Sequence, residues 1–197
     1  MSKLIIVRGL PGSGREALAD TLYNGLHVAY KAPRCFGPDD FFHLREGEVP
    51  LREAHLHEPS LIHAGDYPDR EGRTALRALN LSESFSWNYR PELLPHATRW
   101  ASDSVRDIFA ASSSTGVVLY GAFPEDRDLL PYLRAAAGRA VQVVDLFDGG
   151  KSDTILSQES GSSLPYLARL RARWTHDWSK DSTPPDEGVF HRPLPGN

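Results

Sequence analysis

The chain has 197 residues, 40% of them hydrophobic and 24% charged, with a net charge of -4. That length suits one domain with a sizeable core, and the acidic balance excludes a generally basic nucleic-acid binder while leaving room for a local basic groove. The single cysteine, Cys35, excludes a disulfide framework within the chain and points to a reducing compartment. The apolar stretch after Met1-Ser2-Lys3 is too short for a signal peptide and nothing later approaches a membrane span, so a cytoplasmic protein without membrane contact is expected.

Leu4 to Val7 is a continuous apolar run ahead of a glycine-rich turn, the pattern of a strand buried on both faces of a parallel sheet. Residues 15–26 then place Ala17, Leu18, Leu22 and Leu26 at helical spacing, with Gly25 near the stop. A short second strand is expected around His27 to Tyr30, followed by a turn at Pro33 and by Asp39-Asp40-Phe41-Phe42. Residues 44–86 hold Pro50, Pro59 and Pro68 and no sustained period, which predicts a long insertion or small subdomain. A helix over 92–111 follows, its apolar stripe formed by Leu93, Leu94, Ala97, Trp100, Ala101, Val105, Ile108 and Phe109. Val117 to Tyr120 reads as a third strand, 125–137 as a helix and Ala140 to Phe147 as the next strand. Gly149 and Gly150 break the chain, and a mobile polar stretch is expected to Ser163. Pro165 opens a helix with Leu167, Leu170 and Trp174 on one face and Arg169, Arg171 and Arg173 around it. From Asp181 the proline-rich tail predicts an extended arm outside a domain of residues 1–180. The alternation of strand and helix makes the class α/β.

The turn after the first strand is Gly9-Leu10-Pro11-Gly12-Ser13-Gly14-Arg15-Glu16. Its glycines let backbone N–H groups curl around an anion at a helix N-terminus, as a Walker A loop requires. The lysine that normally bridges the outer phosphates is replaced by Arg15, and the hydroxyl that normally holds Mg²⁺ by Glu16. Arginine keeps the charge but exchanges a compact ammonium for a wide planar fork. A carboxylate at position 16 repels a phosphate 4 Å away by about 1 kcal/mol in water and about 4 kcal/mol at an effective dielectric near 20. The same glutamate favours the start of its own helix by roughly 0.3–1 kcal/mol.

Four stretches, in order, resemble the small P-loop kinases related to the polynucleotide kinase 5′-kinase domain, with a degenerate Walker A loop. KLIIVRGLPGSGREALA is similar to that family's first strand and loop, and GPDDFF to its Asp-Asp-aromatic motif. WNYRPELLPHATRW resembles its aromatic-x-Phe-Asp-Pro stretch and following helix, with Thr98 where histidine is common. SLPYLARLRARW resembles its arginine-bearing helical lid. The resemblance implies a three-layer P-loop fold with a mostly parallel sheet and a helical lid. It further implies binding of ATP or another nucleoside triphosphate with Mg²⁺, and transfer of phosphate to a hydroxyl of a nucleotide, nucleic acid or small molecule. Gly9, Pro11, Gly12, Ser13, Gly14, Arg15 and Glu16 would meet the nucleotide. Asp39 would take the proton of the acceptor, Arg15 would partly replace the lysine, and Arg169 and Arg173 would clamp the phosphates. Where that family carries Asp-Asn-Thr-Asn after the third strand, this chain has Tyr120-Gly121-Ala122-Phe123, although the following EDRDLLPYLRAA keeps the likeness.

Each of these residues also has a plain structural reading. Asp39 and Asp40 suit a solvated turn and helix cap, and the arginines suit an ordinary surface helix. His55, His57, Glu58 and His63 lack a recognised zinc spacing and fit a solvated loop. Trp87, Tyr89, Trp100, Trp174 and Trp178 fit burial better than base stacking, and Cys35 has no activating pair in sequence. Two functions from different classes follow. One is an ATP-dependent kinase with impaired transferase activity; the other is a kinase-like pseudoenzyme that regulates or binds a protein partner through residues 44–86.

Overall fold

Why Leu4 to Val7 form an unbroken apolar run becomes clear from their place in the sheet. The structure is a computed structural model and describes residues 2–42, 91–176 and 189–193. Strand β1 (Lys3–Gly9) lies at the centre of a five-stranded sheet, between β3 (Gly116–Gly121) and β4 (Ala140–Phe147). The three-residue β2 (Arg34–Phe36) lies outside β3, and β5 (Val189–Pro193) lies outside β4. The order is β2-β3-β1-β4-β5 and every described pairing is parallel.

Alternate residues of β1 feed opposite cores. Leu4 and Ile6 pack with Ala97, Trp100, Ala101, Val105 and Phe109 of α2 (Leu94–Ala111) and with Leu129 and Leu133 of α3 (Asp126–Ala135). Ile5 and Val7 pack on the other face, with Ala19 and Leu26 of α1 (Arg15–Leu26). Helices therefore cover both faces, which is a three-layer α/β arrangement around a parallel sheet. A third apolar group joins Leu10 of the glycine loop to Leu156 of α4 (Asp153–Ser160) and to Leu167, Leu170 and Trp174 at α5 (Leu164–Ala172).

Several expectations change. His27 to Tyr30 is a turn, and the second strand starts later, at Arg34. Ala17 is exposed while Ala19 turns inward. The polar stretch before Ser163 contains α4, which the Ser152 hydroxyl caps by accepting from the Ile155 N–H at 3.5 Å and Gly161 terminates at φ 69°. Within the expected C-terminal arm, residues 189–193 pair with β4. Trp100 and Trp174 are buried, as is Cys35, whose thiol lies 4.0 Å from the Asp20 carboxylate. The 44–86 insertion, the histidine group at 55–63, and Trp87, Tyr89 and Trp178 lie outside the described residues.

Candidate nucleotide-phosphate site

The apolar demand of β1 drives it to the sheet's centre, so the turn that follows emerges between β3 and β4. There the chain closes a tight loop. Ser13 N–H donates to the Leu10 carbonyl at 3.0 Å, and Leu10 N–H donates to the Phe147 carbonyl at 2.7 Å. Gly12 and Gly14 take φ of 81° and 90°, left-handed conformations that favour glycine. A Cβ on Gly9 would lie 2.4 Å from Ser13 Oγ, so the loop folds back closely on its own start. Gly14 caps α1 without any side-chain hydrogen bond, leaving first-turn N–H groups for an anion. The Ser13 hydroxyl is buried and has no hydrogen-bond partner among the described residues. Pro11 is half-buried at the loop's crest.

Arg15 does not reach out from this loop. Its side chain is 7% exposed and folds back, donating to the Gly9 carbonyl at 2.9 Å and to Asp39 Oδ2 at 2.6 Å. The two acidic residues of the 3₁₀ turn Pro38–Phe42 thus have different surroundings. Asp40 is buried and accepts from the Gly37 N–H at 2.8 Å and from the Tyr120 hydroxyl at 2.7 Å. Asp39 faces the loop. The Tyr120 phenol, next to the last residue of β3, is spent on Asp40, inside the fold. Glu16 is exposed on the first turn of α1. Burial pushes the pKa of the Tyr132 phenol well above its usual value.

The arginines of α5 divide in the same way. Arg169 is exposed, its guanidinium 6.0 Å from the Tyr166 ring. Arg173 donates to Glu125, the N-cap of α3, and the pairing lowers the Glu125 pKa and raises that of Arg173. Arg171 binds Asp148 at 2.9 Å and Asp153 at 2.7 Å, and those bonds raise its pKa.

Two residues at the site were not picked out by sequence reasoning. Arg8, in the apolar β1, is fully buried beside Asp145 with its guanidinium 4.4 Å from the Trp174 ring centre. Lys151 donates to the Gly12 carbonyl at 2.9 Å. An arginine inside an apolar strand, and a lysine straight after a Gly-Gly pair, are the local signals that mark them.

The donor set suits a phosphate: backbone N–H groups, an unpaired hydroxyl and nearby cations. For a cation the loop offers the carboxylate of Glu16, a hard oxygen donor that suits Mg²⁺. No group of three or more His, Cys, Asp or Glu side chains gathers around a metal position among the described residues, and none of their helices is long and apolar enough to cross a membrane.

No protein-family model matches the chain, and no curated protein matches it. Among solved structures it is similar to a gluconokinase from Sinorhizobium meliloti 1021, with TM-score 0.44 and 11% identity over 99% of this chain and 84% of the other. It is also similar to a protein from Chloroflexus aurantiacus j-10-fl provisionally described as a kinase, with TM-score 0.43 and 14% identity over 98% of this chain and 88% of the other.

Proposed function

We propose that this chain is a P-loop kinase-like protein of the polynucleotide-kinase type that binds ATP or another nucleoside triphosphate through its phosphates, with phosphoryl transfer impaired. One observation carries the reading: the Arg15 guanidinium joins the Gly9 carbonyl of the loop to Asp39, which lies 24 residues after Arg15. That contact supports the reading, because Asp39 lies beside the glycine loop, where a proton acceptor for transfer to a hydroxyl of a nucleotide, nucleic acid or small molecule would have to stand. It also explains the impairment. An oxygen of Asp39 already accepts from Arg15, and Arg15 is withdrawn from the phosphates it would have to bridge. Phosphoryl transfer rests almost wholly on positioning and charge stabilisation, so both losses fall on the chemical step. Gly9, Pro11, Gly12, Ser13 and Gly14 hold the nucleotide in this reading, Glu16 would meet it through Mg²⁺ rather than directly, and Arg169 and Arg173 approach from the lid. Glu16 would hold Mg²⁺, which supplies charge neutralisation at the phosphates.

The same ion pair favours a second reading, a kinase-like pseudoenzyme whose partner surface is formed by residues 44–86. A thermal-shift titration with ATP and GTP, with and without Mg²⁺, tests what the two readings share. Saturable stabilisation is expected, about 2.7 kcal/mol at a hundredfold excess over Kd; none at millimolar nucleotide would sink the proposal. Asp39→Asn then separates the readings: it should abolish any transfer and keep nucleotide binding, and transfer that survives it would exclude Asp39 as the base.

A further inference from the structure

Between β4 and α4 the chain turns through Gly149 and Gly150, at φ of 62° and 76°, and presents Lys151 to the glycine loop. The turn packs on the loop's backbone. A Cβ on Gly149 would lie 2.4 Å from the Ser13 carbonyl oxygen, and one on Gly12 would lie 2.5 Å from that of Leu156. The Lys151 ammonium, at the rim of this contact, donates to the Gly12 carbonyl at 2.9 Å and to Glu159 Oε2 at 2.6 Å.

The two cations at the loop differ in what they are free to do. Arg15 is 7% exposed and held by the Gly9 carbonyl and Asp39. Lys151 is 29% exposed and its acidic partner Glu159 is 47% exposed, so their pairing is screened by water. An ammonium on a flexible four-carbon stem can exchange that partner for a polyanion. The loop itself retains an unmet polar group, the buried hydroxyl of Ser13.

Resting on the nucleotide-phosphate reading, we propose that Lys151 is the cation that contacts phosphates held by the Gly9–Gly14 loop, a role that Arg15 cannot serve. Glu159 competes with the phosphates for it. The assignment makes opposite predictions for two neighbouring residues. Neutralising Lys151 removes a phosphate contact and weakens binding. Neutralising Glu159 releases the ammonium and tightens it. A purely structural pairing that pins the turn would move both in the same direction.

The test is calorimetric titration of the full chain with ATP and with inorganic pyrophosphate, using the wild type, Lys151→Gln and Glu159→Gln, with thermal melts as the check on folding. Loss of a charge-assisted phosphate contact should weaken both ligands about tenfold in Lys151→Gln, and Glu159→Gln should tighten both about threefold. Wild-type binding with unchanged affinity in Lys151→Gln would overturn the role of Lys151 and leave the nucleotide reading standing. Equal weakening in both variants would also overturn it, assigning the pair to holding the turn. If the wild type binds neither ligand at millimolar concentration, the nucleotide reading falls and takes this assignment with it. Should Lys151→Gln not fold, the Glu159→Gln arm decides: tighter binding supports the assignment, and weaker or unchanged binding overturns it.

Discussion

Arg8 is a charged group fully shielded from solvent by the fold. Its Nη2 donates to the carbonyls of Pro124 at 3.3 Å and Thr175 at 3.0 Å, while Nε and Nη1 have no hydrogen-bond partner among the described residues. Burial lowers its pKa, and the nearby Asp145 charge opposes that shift. Such an ion contributes less as attraction than as a tie, here between the end of β1, the loop after β3 and the chain leaving α5. Removing one partner of a buried pair leaves the other uncompensated, so Arg8→Ala should cost about 3–5 kcal/mol in urea denaturation. A loss under about 1 kcal/mol would show that Asp145 is satisfied without it. The arginine itself is plain in the sequence; its partners are not. Thr175 and Asp145 come from distant parts of the chain, and no local periodicity brings them together. The same holds for Lys151 and Gly12, 139 residues apart. Asp39 and Asp40 are adjacent and chemically equal on paper, and only the fold sends one to Tyr120 and the other to Arg15.

Among the elements, the glycine loop and α4 fit each other through backbone contact. Alanine at Gly12 meets both a left-handed φ of 81° and the Leu156 carbonyl at 2.5 Å, whereas alanine at Gly14 meets only the strain of φ 90° in open space. Gly14→Ala should therefore cost about 1–2 kcal/mol, and Gly12→Ala measurably more, because α4 must shift. Equal midpoints in denaturant would contradict that ordering. The Glu125–Arg173 contact between α3 and the end of α5 makes a prediction in pH. Glu125 has a folded pKa below its usual 4.5, so its contribution is complete above 4.5 and disappears as pH falls through the lowered value. The gap in melting temperature between wild type and Glu125→Gln should close across that acidic range; a constant gap would mean that Arg173 does not hold it. Long apolar or amphipathic elements were legible: β1, α1, α2, β3 and β4 announce themselves by continuous or helical spacing. Helix α4 did not, since Leu156 is its one buried residue and its caps, Ser152 and Gly161, look like loop residues. Strand β2 has only three residues, and the apolar residues at 28–30 drew the expectation to the preceding turn.

For the whole molecule, the parallel sheet decides what lies next to what. Its β5 edge comes from a proline-rich segment that reads as an arm, because an edge strand held by backbone pairing needs no apolar run of its own. Removing residues 189–197 would uncover β4 from Val141 to Asp145, so lower melting temperature and self-association by light scattering are expected. A monomer with the full-length melting temperature would refute that role. The central position of β1 has a further consequence, for biosynthesis. Strand β1 is made long before it can be enclosed, since its neighbours Gly116–Gly121 and Ala140–Phe147 are more than a hundred residues downstream. At about 5–20 residues per second the ribosome leaves Leu4 to Val7 without sheet partners for on the order of ten seconds. Through that interval the most apolar segment of the site's foundation is exposed on a nascent chain, and its closure time sets a demand for chaperone protection that the finished protein no longer shows.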